Sequence, residues 1–132
     1  MIASVIRLRG AFSTAKASTY DNDFRRRRLA GFLELVDEAL KTRSECRVLD
    51  LGGEVGYWAG LQDLWTDRPM RVTLDNPMPQ QSSDERIDSV VGDACALPDF
   101  ADKSFDVVHS NSVLEHVGDW SAKRRMAAET RR

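Results

Sequence analysis

Residues 47–58 read RVLDLGGEVGYW. Val48, Leu49 and Leu51 form a short apolar run with Asp50 among them, and Gly52 and Gly53 stop it. Gly56 precedes Tyr57 and Trp58, which open a helical pattern. A strand that passes through a glycine turn into a helix leaves bare backbone at the strand's carboxyl end, where a ligand can approach closely. In open α/β sheets that end is where small molecules bind. This one unit therefore constrains both the fold class and the position of a ligand.

Around the unit, helical and extended patterns alternate. Asp21 or Asp23 is placed to cap a helix in which Leu29, Phe32, Leu33, Val36 and Leu40 share one face, with its end near residues 42–45. Strand one is expected over 47–51. The helix after the turn carries Tyr57, Leu61, Leu64 and Trp65 on one side and closes at Arg68-Pro69, because a residue before proline is pushed out of the helical region. Strands two, three and four are expected at 70–74, 87–91 and 105–110. Between strands two and three, Pro77, Pro79 and the polar run QQSSDE carry little helix signal, so that crossover is expected to be irregular. A last helix starts at Gly118-Asp119-Trp120. Strands alternating with helices imply a parallel sheet wound with right-handed crossovers.

A chain of 132 residues is one domain by length, and 42% hydrophobic content sustains a modest core. Residues 1–19 show no sustained period and are expected to form a flexible arm ahead of a folded unit spanning 20–132. No apolar run approaches the roughly 18 residues needed to cross a bilayer. The opening segment is short for a signal peptide and is interrupted by Arg7 and Arg9, so a cytoplasmic location is expected. Cys46 and Cys95 lack a CxxC spacing and read as ordinary reduced thiols.

The net charge of −2 is unevenly spread. Residues 1–32 carry +5, residues 123–132 carry +4, and the middle carries −11. Arg25 to Arg28 form the densest basic run. A nucleic-acid patch is one reading of it. A solvated helix face attracted to the acidic middle is the favoured one, because no aromatic residues interleave with the arginines and the domain as a whole is acidic.

Three cofactor classes use a strand, a glycine turn and a helix. A phosphate-binding loop needs GxxxxGK[ST], and no lysine follows a glycine at that spacing. A dinucleotide fingerprint needs GxGxxG; counted from Gly52 the second glycine falls on Glu54, and counted from Gly53 it falls on Val55. A glutamate there also has the wrong charge for a pyrophosphate resting on a helix N-terminus. The third class binds S-adenosylmethionine, which has no phosphate and carries a positive sulfonium that an acidic turn does not repel. DLGGEVG resembles the first motif of class I S-adenosylmethionine-dependent methyltransferases, Asp/Glu-x-Gly-x-Gly-x-Gly. Residues 92–117, GDACALPDFADKSFDVVHSNSVLEHV, resemble the third and fourth motifs of the same superfamily. The likeness is closest to its broad small-molecule group, called type 11 or ubiquinone-biosynthesis-like, and runs from Tyr20 to the end of the chain.

The resemblance implies a Rossmann-like α/β sheet, here partial, with about four parallel strands and flanking helices. It implies S-adenosylmethionine as methyl donor and S-adenosylhomocysteine as product. Gly52 and Gly53 would let the backbone approach the methionine moiety. Asp50 would orient the turn or accept a hydrogen bond near the amino group. Asp75 would take both ribose hydroxyls, since a carboxylate offers two acceptor oxygens to a vicinal diol. Asn76 would flank the ribose and adenine. Asp93 would accept the adenine exocyclic amine, with Ala94 packing on the ring. Ser110 and Asn111 would border the methyl-transfer centre, and Tyr20 would fold over the cofactor from the N-terminal arm. Plainer readings stand beside these: Asp50 capping a turn, Asp75-Asn76-Pro77 as a turn sequence, Asp93 as a loop residue. Their joint placement at the ends of successive strands favours the site. Glu54 stands where the family's middle glycine usually lies, and would crowd the cofactor or contact its ammonium group.

Methyl transfer is an in-line displacement at a carbon already activated by sulfonium, so positioning matters most and a base is needed only if the acceptor must lose a proton. His109, Glu115 and His116 are the candidates, and none is assigned as catalytic. His109 lies inside the apolar run of strand four and is expected to be a satisfied core histidine. No third ligand cluster accompanies the two histidines, so no metal site is expected.

The superfamily's sheet has seven strands, of which four can be placed. The chain is therefore expected to be a shortened form of a longer parent, with strand four an open edge that invites pairing into a homo-oligomer. The expected function of the parent is methyl transfer from S-adenosylmethionine to a small-molecule acceptor, with no membrane partner. Two alternatives stay open. One is a catalytically silent S-adenosylmethionine-binding fragment, suggested by Glu54 and the missing strands. The other is a nucleic-acid methyltransferase using Arg25 to Arg28 and the basic C-terminus; it ranks lower, because neither an NPPY-type base-flipping motif nor a stacking platform is visible.

Overall fold

A computed structural model of the chain describes residues 20–132. The expected N-terminal arm, 1–19, lies outside the described residues. The elements are α1 (Asp23–Leu40), β1 (Cys46–Leu51), α2 (Val55–Gly60), α3 (Gln62–Trp65), β2 (Met70–Asn76), β3 (Ile87–Val91), β4 (Val107–Ser110) and α4 (Trp120–Arg131). The strands form one parallel sheet in the order β3-β2-β1-β4. The chain steps outward from β1 through β2 to β3, then returns across the sheet to pair β4 on the other side of β1. The strand order therefore reverses between β1 and β4, the place where such sheets open a crevice beyond their carboxyl ends. This is the Rossmann-like α/β arrangement expected from the sequence.

Side chains alternate across the sheet. Val48, Met70, Val72 and Leu74 pack with Leu29, Leu33 and Val36 of α1 and with Trp58, Leu61 and Trp65 of the α2–α3 segment. Leu49 and Leu51 face the opposite layer and meet Ala94, Leu97, and Ala122 and Met126 of α4. Each large apolar side chain removed from water contributes roughly 1.5–3 kcal/mol, so the two layers hold the sheet between them.

In α1 the buried positions Leu29, Leu33 and Val36 follow the expected face, with Phe32 and Leu40 partly buried beside them. The cap differs from expectation. Asn22 does this work, its side chain accepting from the Arg25 N–H at 3.0 Å, while Asp21 is drawn to Arg26 at 3.1 Å. Asp23 lies in the first turn, where a negative charge suits the helix dipole. The helix stops at Leu40, short of 42–45, because the Lys41 N–H bonds to Glu38 and Ala39 carbonyls and tightens the last turn.

The helix expected in one piece after the glycine turn is broken at Leu61, which leaves helical geometry (φ −116°, ψ 22°) and is fully buried. Arg68 closes the second piece by donating to the Leu64 carbonyl at 2.6 Å and to both Asp37 oxygens at 2.7 and 2.8 Å. β2 runs past the expected 74, because Asp75 and Asn76 still pair with Val90 and Val91 of β3. β4 starts at Val107 and not at 105. Phe105 instead packs edge-on against Phe100 at 5.0 Å, and the Asp106 carboxylate accepts from the Arg47 backbone N–H at 2.8 Å. The crossover from β2 to β3 carries no helix, as its composition implied.

Three arginines of the basic run make contacts within the molecule. Arg26 bridges Asp21 and Asp63, the Arg25 guanidinium lies over the Tyr20 ring at 5.1 Å, and that of Arg28 over Phe24 at 5.4 Å. Both cysteines are free and buried, and burial together with the Asp106 charge pushes the Cys46 thiol up to about 11. Among the described residues no helix is long and apolar enough to cross a membrane.

Leu33 is 2% exposed and Leu35, two residues on, is 57% exposed. Leu33→Ala is expected to cost about 2–5 kcal/mol and Leu35→Ala less than about 0.5 kcal/mol. Urea denaturation of both variants measures the contrast; equal losses would show that α1 is not docked as described.

Candidate cofactor site

The site is built where β1 ends. Gly52 adopts a left-handed conformation (φ +69°), and a side chain there would strike Val113. Its N–H donates to the Asp75 carbonyl at 2.6 Å, which ties the end of β1 to β2. The Asn76 amide donates to the Gly53 carbonyl at 2.9 Å, and its oxygen accepts from the Met78 N–H at 2.9 Å. Gly53 in turn lies directly against the Asp50 carboxylate and leaves no room for a Cβ. Asp50 is buried and fully partnered: Trp58 Nε1–H donates at 2.8 Å, and His109 Nδ1 stands at 2.7 Å.

Asp75 is the opposite case. It is 1% exposed, and neither carboxylate oxygen has a hydrogen-bond partner among the described residues. One oxygen faces the bare backbone of Gly92, at the end of β3. Burial, reinforced by the Asp93 carboxylate, pushes the Asp75 carboxyl up to about 6. Buried polar groups are nearly always paired, and an orphaned carboxylate disfavours the folded state. Two acceptor oxygens without donors are the complement of a vicinal diol, so Asp75 fits the ribose of an adenosyl group.

The other expected residues gather round this pair. Register places Leu51 level with Asp75 on one side and with Ser110 on the other, so the ends of β1, β2 and β4 lie together. Ser110 is exposed and Asn111, just beyond it, is half-buried. Asp93 is exposed and accepts from the Cys95 N–H at 2.8 Å, while Ala94 is buried beneath it with Leu49 and Leu51. The Tyr20 ring covers Gly56 and meets Tyr57 edge-on at 6.4 Å. Its hydroxyl donates to the carboxylate of Glu54, the residue just after the glycine pair. That bond first, and burial second, raises the Tyr20 pKa.

Glu115 and His116 are exposed on the segment after β4. His109 is the satisfied core histidine that its place in an apolar strand implied. Its partner was less visible. Asp50 and His109 are paired in register across β1 and β4, and only that register puts both on one face. Trp58 lies eight residues from Asp50, a separation with no strand or helix period to flag it. Gly92 was legible as a strand end but not as the surface on which the Asp75 carboxylate rests.

A family described as a methyltransferase domain matches residues 49–132. Among solved structures, the X-ray structure of YjhP from E. coli matches with a TM-score of 0.50 at 17% identity, covering 87% of this chain and 47% of that one. At that identity the likeness shows the fold, and the chain spans about half the length of that structure. A search of curated proteins finds no match.

The folded chain holds the Asp75 proton up to about pH 6, whereas the unfolded chain releases it near 3.8. Stability therefore falls as pH rises between these values and stays lower above them, by about 2–3 kcal/mol. Asp75→Asn is expected to melt above the parent at pH 8, with the gain vanishing toward pH 4. Thermal denaturation at the two pH values measures it, and a variant that melts no higher at pH 8 would show that the carboxylate is not strained.

Proposed function

Because the chain belongs to the methyltransferase domain family, we propose that it binds S-adenosylmethionine at the carboxyl ends of its strands and takes part in methyl transfer to a small-molecule acceptor. The observation that carries this reading is the buried Asp75 carboxylate with two free acceptor oxygens beside a glycine turn. When bound, the cofactor supplies a methyl group already activated for displacement. The residues of this chain have to bind, orient and exclude water. Asp75 takes the two ribose hydroxyls. The backbone of Gly52 and Gly53 borders the methionine portion, with Glu54 nearest its ammonium group. Asn76 holds the turn while flanking the ribose. Asp93 receives the adenine amine and Ala94 underlies the ring. Ser110 and Asn111 border the transfer centre, and Tyr20 covers it from the side of α1.

No base is assigned. His109 Nδ1 is committed to Asp50, and Glu115 and His116 are exposed. A second reading, cofactor binding without transfer, rests on Glu54, which stands where the family's middle glycine usually lies and whose carboxylate accepts from Tyr20. Nucleic acid is the least supported acceptor, since Arg26 is bound to Asp21 and Asp63. The two unpaired thiols favour the cytoplasm. A second copy of the chain is proposed as partner through β4, which pairs only with β1 among the described residues.

Calorimetric titration with S-adenosylmethionine and S-adenosylhomocysteine tests the reading. Both are expected to bind, and Asp75→Ala is expected to weaken them by about tenfold or more, as befits the loss of hydrogen bonds to a charged acceptor. Flat titrations with both ligands on folded protein overturn it. Measurable binding with blank methylation assays favours the silent reading. Light scattering at high protein concentration addresses the partner: a dimer is expected, and a clean monomer counts against pairing through β4.

A further inference from the structure

We infer that His109 is a positioning residue for the cofactor: from β4 it fixes the Asp50 carboxylate, and through that carboxylate it fixes the backbone of Gly53. The inference rests on the cofactor reading above and extends it to a side chain that acts on the turn only through Asp50.

Asp50 is 2% exposed, and a carboxylate so deeply buried needs a donor for each oxygen. Trp58 Nε1–H donates to one at 2.8 Å and His109 Nδ1 meets the other at 2.7 Å. A carboxylate only accepts, so the imidazole proton on this side sits on Nδ1. Asp50 and His109 face each other because their strands are paired in register. The imidazole is held from three sides: Phe32 of α1 lies 4.7 Å away by ring centroid, and Tyr57 and Trp58 of α2 lie at 5.5 Å each. Trp58 offers a single N–H, so it cannot satisfy both oxygens alone.

Gly53 lies on this carboxylate. A side chain at Gly53 would collide with Asp50 and would reach Leu74 Cδ2 at 2.8 Å. The Gly53 N–H donates to the Asp50 carbonyl at 3.2 Å, and the Gly53 carbonyl accepts from Asn76 at 2.9 Å. The turn is thus supported from beneath by Asp50 and held from the β2 side by Asn76. If the His109 donor is removed, the carboxylate loses one of its two donors and must turn to find another, and Gly53 moves with it.

The test compares His109→Leu, which has no donor, with His109→Asn, whose amide N–H occupies the place of Nδ1. His109→Leu is expected to weaken S-adenosylhomocysteine binding by about tenfold or more and to speed exchange of the Gly53 amide by a similar factor, with His109→Asn within about threefold of the parent in both. The Trp58 indole N–H resonance is expected to shift in the leucine variant and to return in the asparagine variant. A purely structural role would lower the melting temperature of both variants without this split. Folded His109→Leu with parental affinity and parental Gly53 exchange overturns the inference. So does His109→Asn that melts like the parent yet restores neither. Should the leucine variant fail to fold, His109→Gln, whose amide reaches the place of Nε2, takes its part in the same comparison. If the unmodified chain binds no S-adenosylhomocysteine, the cofactor reading fails by itself; Gly53 exchange and the indole resonance of the ligand-free chain still decide the part played by His109.

Discussion

The parallel pairing of β1 with a neighbour on each side sets the geometry on which the rest depends. Leu51 is level with Asp75 on one flank and with Ser110 on the other, and Asp50 is level with His109. Strand alternation then assigns each of these to a face. Asp50 and His109 turn toward the layer of α1 and α2, while Asp75 shares the face of Leu51. A slip of one residue in either pairing would put the carboxylates on the wrong layers and separate them from their surroundings. The apolar residues of β1 resist such a slip, because Val48 and Leu51 are wholly buried in different layers.

Within that register the chain treats two buried carboxylates in opposite ways. Asp50 is satisfied by an indole and an imidazole from neighbouring elements, so its burial adds rigidity beneath the glycine turn. Asp75 is buried to a similar degree and has no donor among the described residues, so its burial opposes folding. On the proposed reading, the difference is that of a support and a receptor. A group that positions the backbone works best when fully bonded, and a group that receives a ligand works only if its lone pairs are available until the ligand arrives.

Much of this was legible in the sequence, and the limits have physical reasons. The glycine turn, the face of α1 and the extent of β3 follow from periodicity and from residues with few backbone options. The end of β2 and the start of β4 each lie two residues from expectation. What decides them is whether Asp75 and Asn76 find partners on β3, and whether Phe105 packs on Phe100, both of which are tertiary contacts. The cap of α1 fell to Asn22 because two nearby aspartates had other work, Asp21 with Arg26 and Asp23 in the first turn. Asp75, Asp93 and the glycines were identifiable as strand-end residues. That Asp75 is orphaned and Asp50 paired depends on side chains that approach from β4 and α2, at separations with no local signature.

Glu54 shows how a departure from the usual glycine pattern is accommodated. A carboxylate at the N-cap of a helix is not in itself unfavourable, since the N-terminus carries partial positive charge. Here it is also drawn outward: the Tyr20 hydroxyl donates to it, and the Arg25 guanidinium lies over the Tyr20 ring. Gly56 is bare where that ring passes. The turn is therefore bounded by two different devices. Beneath it, Asp50, Trp58 and His109 form a closed set with no exchangeable partner. Above it, Tyr20 and Glu54 form an exposed pair. An acidic residue in this position costs the turn little, because its partner Tyr20 comes from just ahead of α1 and not from the sheet.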